Sequence, residues 1–164
     1  MMHRTPLLAL AALAFLALSG LASAQQVTIA DTVLKMPLVQ GVSMDDAVDS
    51  MKLRANALNF KLVADLPLYK ELEAMGVKTK RIEIFQFCDA RIAHQMLTYN
   101  IDFAAYLPCR IALIQDKDGK AWLITLDLDK VIKGANLPPE LMKLAVTVRD
   151  TINAIMKAGA NGEL

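Results

Sequence analysis

The sequence predicts a single α+β domain: an antiparallel-rich sheet of about five strands, with helices packed on one face and a long C-terminal helix. Three observations carry this expectation. Short β-type runs alternate with stretches whose apolar residues recur at helical spacing. The runs Arg110–Gln115 and Lys120–Leu126 are separated only by Asp116-Lys117-Asp118-Gly119, a tight turn that makes them a β-hairpin. From Leu141 onward, Leu144, Ala145, Val148, Ile152, Ile155 and Met156 fall on one helical face.

Taken in order, the region Gln25–Gln40 carries a first strand in which Pro37 marks an edge or a break. Ser43 and Asp46 have the spacing of a capping box, in which a hydroxyl and a carboxylate satisfy amide donors at a helix start. Met44, Ala47, Val48, Met51, Ala55 and Leu58 then form the buried stripe, and Asn59 is a candidate C-terminal cap. A strand over Phe60–Ala64 precedes a short helix that begins at Pro67 and leaves at Gly76. Lys78, Thr79, Lys80 and Arg81 form a solvated approach to the next strand, Arg81–Phe87. That strand is apolar on both faces and therefore predicted to lie inside the sheet. Asp89 caps the helix after it, on which Ile92, Ala93, Met96 and Leu97 point inward and His94 lies beside the stripe. Asp102 starts a further turn before Pro108, and the last helix is expected to end near Gly159.

The first 24 residues read as a cleavable secretory leader, with Arg4 as its positive start, an apolar run through LLALAALAFLAL, and small residues at Ala22-Ser23-Ala24. Cleavage is expected between Ala24 and Gln25, which places the mature protein in a periplasm or outside the cell, with no membrane association after cleavage. The leader holds one of the 18 basic residues and none of the 17 acidic ones, so the remainder carries 17 of each sign. A formal charge near zero with no clustered basic face excludes a nucleic-acid footprint. The expected organisation is leader 1–24, N-terminal strand and lead 25–39, domain 40–130, and C-terminal helix and tail 131–164.

Motifs for covalent haem, dithiol redox exchange, zinc proteolysis, phosphate loops and serine nucleophiles are all missing from the sequence, so no catalytic constellation emerges. What remains is a small set around Cys88 and Cys109, with His94, Met96, Tyr106 and Trp122 nearby in sequence. Three readings are open. Two cysteines in an oxidising compartment make a disulfide candidate, worth about 3 kcal/mol through loop closure, provided that the flanking strands are antiparallel neighbours. Cys88, Cys109 and His94 form a candidate soft-metal set for copper, and a noncovalent haem with a Cys or His axial ligand belongs to the same reading. Alternatively, Cys88 at a helix start is a thiol whose pKa the helix dipole would lower, suited to a redox enzyme or a sulfur carrier. Tyr106, Trp122 and Met96 would line the pocket.

The run IEIFQFCDARIAHQMLTYNIDFAAYLPCRIALIQDKDGKAWLITLD, with SMDDAVDSMKLRANALNFKLVADLPLY before it, resembles the DUF302 domain family. The shared features are a strand, a helix with an apolar stripe, an LP step into a strand, and a D-x-x-G-K hairpin. The resemblance covers roughly 40–128 and implies a small α+β domain that forms homodimers and has no agreed activity. The cysteine pair would then mark an exported subgroup. Together these readings lead to an expectation of a binding or accessory module near the cysteine pair, with a small ligand or a periplasmic partner protein. A thiol-dependent enzyme using Cys88 and a purely structural partner protein are the alternatives.

Overall fold

Five strands make one fully antiparallel sheet in the order β1-β5-β4-β3-β2. The strands are β1 (Val33–Pro37), β2 (Lys61–Leu66), β3 (Ile82–Cys88), β4 (Cys109–Gln115) and β5 (Ala121–Leu126). This is a computed structural model, and it describes residues 27–163, so the expected cleavage site at Ala24 and Gln25 lies outside the described residues. The helices are α1 (Met44–Ala57), α2 (Leu68–Ala74), α3 (Ala90–Tyr99), α4 (Leu128–Gly134) and α5 (Pro139–Asn161). Among the described residues, no helix is long and apolar enough to cross a membrane.

The α+β architecture expected from the sequence is the one observed. β3 is an inner strand, and its burial alternates strictly, with Glu83, Phe85 and Phe87 buried on the helix side. On that side Phe85, Phe87, Ile111, Leu113 and Leu123 meet Met51 and Ala55 of α1 and Ile152, Ile155 and Met156 of α5. The opposite face carries Ile84, Ala112, Ile114, Trp122 and Ile124 by register, all half-buried.

The local signals hold where the chemistry is strong. The Ser43 hydroxyl accepts from the Asp46 amide at 3.0 Å, and the Asp46 carboxylate accepts from the Ser43 amide at 3.2 Å. Asn59 takes a positive φ of 59° just beyond α1. Asp116 accepts amide hydrogen bonds from Asp118 and Lys120 across the hairpin turn, and Gly119 has φ +84°.

Four details differ from the sequence expectation. The first strand is shorter and follows a 3₁₀ turn at Ile29–Thr32. The turn after α3 spans Ile101–Ala105 and is capped by Asn100, whose side chain accepts from the Asp102 amide, rather than by Asp102. Arg81 is a structural cation rather than a solvated one. It bridges Asp45 of α1 to buried Glu83 of β3, which gives that carboxylate its partner. Finally, α5 runs past Gly159 to Asn161 and ends at Gly162 with φ +66°. Gly159 is therefore a packing residue inside the helix, with a role that its type alone does not reveal.

Candidate functional site

The two cysteines lie at one end of adjacent antiparallel strands, as a bridge would require, yet both are free thiols. The pleat explains this. Cys109 pairs directly with Phe87, so these two share the helix side of the sheet. Cys88 is the next residue along β3, and alternation turns its side chain to the other face. A disulfide needs Cβ atoms about 4 Å apart and facing one another, which this one-residue offset denies. Strand adjacency was the right condition for the bridge and an insufficient one.

Cys88 also differs from the activated thiol that the sequence suggests. Burial, then the neighbouring Asp89 charge, pushes the Cys88 thiol upward rather than down. Asp89 occupies the α3 N-cap itself, accepting from the amides of Arg91 and Ile92, so a carboxylate rather than a thiolate takes the benefit of that helix end. Burial, then the proximity of Cys88, pushes the Cys109 thiol up to about 11. Neither group is shifted toward the reactive thiolate.

His94 is exposed on α3, and among the described residues no three His, Cys, Asp or Glu side chains are grouped to hold a metal ion. The Cys88, Cys109 and His94 set is therefore not assembled. Trp122 leaves the expected pocket as well. It lies on the face of the sheet away from the helices, where its indole N–H donates to Asp116 at 2.8 Å and the Lys120 ammonium sits 4.3 Å from the ring centroid. Its work is to fasten the hairpin.

Met96, Tyr106 and Cys109 do come together. They share a half-open cavity of about 60 Å³ bordered by α3, α4, α5 and the segment before β4. Ile92, Phe103, Leu128, Val131 and Val148 complete much of its wall, and none of the residues lining it is charged. Cofactor clefts occupy about 300–1,000 Å³, so this space does not hold a haem. The cavity abuts a wider cleft of about 490 Å³ through five common residues: Phe103, Tyr106, Val131, Ala135 and Leu137. Tyr99, Asn100, Asp102 and Lys130 stand around that outer cleft. A separate open cleft of about 760 Å³ passes Cys88 between β2 and α3.

The α4 wall was missed by the sequence reading. Its signal is present in the LDKVIKG run, where Leu128, Val131 and Ile132 have helical spacing behind Asp127, and the Asp127 side chain accepts from the Lys130 amide as an N-cap. Seven residues are too few for that pattern to stand out from a loop.

Comparison with known proteins matches residues 36–159 to the family model "Domain of unknown function DUF302", a span that takes in nearly all of α5. A solved structure, that of the uncharacterized conserved protein DUF302 from Bacillus stearothermophilus, superposes with a TM-score of 0.64 at 16% identity. It covers 77% of this chain and 97% of that one. At that identity the likeness speaks for the fold alone. No curated protein matches. With most of its length inside the family model and its sheet and helices shared with a solved member, the chain belongs to the DUF302 family.

Proposed function

We propose that this protein is an exported binding module that takes a small apolar ligand into the cavity beneath α4. The observation that carries the reading is the wall itself, which has no charged residue and whose polar side-chain atoms belong to Tyr106 and Cys109. Water finds few polar partners against such a wall, so apolar guests are favoured there through contacts that water cannot replace. Export rests on the leader features at Arg4, the apolar run and Ala22–Ala24.

Xenon is the direct probe, read by chemical-shift changes of the methyl groups of Ile92, Val131 and Val148. Saturable shifts confined to these residues are expected, with their loss in Ala145→Val, which puts two carbons into the space. A protein whose shifts ignore xenon would refute the cavity as a binding site.

The module is proposed to be a homodimer joined through the bare face of the sheet. Ile84, Ala112, Ile114 and Ile124 form an apolar centre there, where a solvated antiparallel sheet ordinarily shows polar residues. Sedimentation equilibrium checks this, and a monomer at every concentration would remove the dimer.

A further inference from the structure

The structure points to a more specific guest, and we infer that the site selects a small amphiphile with a cationic head, a short alkyl or aryl ammonium ion. This rests on the cavity reading above and adds to it the chemistry of the mouth. The inner cavity of about 60 Å³ has room for about two water volumes, or two to three methylene-sized groups. A guest of useful size therefore leaves part of itself in the adjoining cleft, so the rim decides which polar end is tolerated.

That rim is aromatic and acidic. Tyr99 and Tyr106 are 55% and 45% exposed, and both line the outer cleft with Asp102 and Asn100. Ring faces attract cations, most strongly where water is partly excluded. Among the described residues, the one cation lining the rim is already engaged. The Lys130 ammonium pairs with Asp127 at 3.1 Å and donates to the backbone carbonyl of Asp31. The Asp31 carboxylate feels that same ammonium and is held below the usual carboxylate range, chiefly by hydrogen bonds from Thr28. Asp102 has no ion-pair partner among the described residues. The charge left over at the mouth is negative. A carboxylate head would face Asp102 with no free cation to receive it, whereas an ammonium head meets a carboxylate and two tyrosine rings.

Calorimetry with three probes that share a linear four-carbon chain tests this: butyltrimethylammonium, butan-1-ol and butanoate. The ammonium is expected to bind about tenfold more tightly than the alcohol, with butanoate the weakest. Asp102→Asn, an exposed and nearly isosteric change, should weaken the ammonium about fivefold and leave butan-1-ol unchanged. Tyr99→Leu should weaken the ammonium about threefold through loss of a ring face. Butanoate binding as well as the ammonium, or an Asp102→Asn variant with unchanged affinities, would overturn the inference. Equal binding of butan-1-ol and the ammonium would also overturn it while keeping the apolar cavity, and failure of all three probes together with xenon would remove both readings.

Discussion

The layer of helices has one tight flank and one loose flank, and the two are built from different residues. Where α1 packs on α5, both helices bury small residues: Ala47, Ser50 and Ala55 on one, Ala158, Gly159 and Ala160 on the other. Close approach of the two backbones brings Met51, Ile152, Ile155 and Met156 into one cluster with Phe85 and Leu123. At the α3–α4 corner the elements are short. α4 has no buried residue, and α3 has Met96 alone. Side chains there line a space instead of closing it. Stability resides in the first flank and adaptability in the second, which is the usual division between a scaffold and its site.

The comparison is broken most severely at Gly159. A Cβ there would lie 2.5 Å from Met51 Cγ, 3.0 Å from Leu123 Cδ1 and 3.1 Å from the Ala47 carbonyl oxygen. Helix propensity alone would favour alanine over glycine by about 1 kcal/mol. Overpacking costs about 1–3 kcal/mol and wins here, because the Ala47 oxygen is main chain and cannot swing aside. Gly159→Ala is expected to lower stability by about 1 kcal/mol net in denaturant titration, and Gly159→Leu to abolish cooperative unfolding. A Gly159→Ala protein as stable as the parent would show that the seam is looser than its geometry implies.

A second effect, spread over a pH range, belongs to the loose flank. Cys109 forms part of the cavity wall, and its thiol is pushed up to about 11 from an ordinary 9.0, chiefly by burial. The folded state thus keeps its proton after the unfolded chain has lost one, and stability falls as pH rises from 9.0 toward about 11. The loss amounts to about 2–3 kcal/mol as an upper estimate. Cys109→Ala should flatten that part of the stability profile without altering the curve below pH 8, and native alkylation should reach Cys88 before Cys109. Equal alkylation rates would mean that the corner opens freely.

Much of this architecture was legible because its signals are local and redundant. Ser43 with Asp46, Asp89, and the Asp116–Gly119 turn each place a cap or a reversal by hydrogen bonds within a few residues. The site was less legible because it depends on long-range parity. The alternation of β3 and the Phe87–Cys109 register decide which face each thiol takes, and a shift of one residue would have put both sulfurs on the same side. Of the expected pocket residues, Met96 and Tyr106 line one cavity together with Cys109, while Trp122, and His94 of the expected metal set, lie elsewhere. α4 carried too few residues for its stripe to register, and Gly159 resembled a helix stop because glycine usually is one.

The gentlest probe of the comparison is one substitution made twice. Ala47 on the tight flank is fully buried, and Ala145 on the loose flank is 7% exposed and lines the cavity. Replacing either by valine adds the same two carbons and the same helix-propensity cost, about 0.5 kcal/mol. At Ala145 the carbons enter a space of about 60 Å³ and regain about 0.8 kcal/mol each, so the net change is near zero to about +1 kcal/mol of stability. At Ala47, fully buried where α1 packs on α5, they must displace packed neighbours, and a loss of about 1–3 kcal/mol is expected. Opposite signs for a chemically identical change would locate the free volume of this domain at α3 and α4. Equal losses at both positions would mean that the cavity walls are as rigid as the seam, and that no guest could be admitted without straining them.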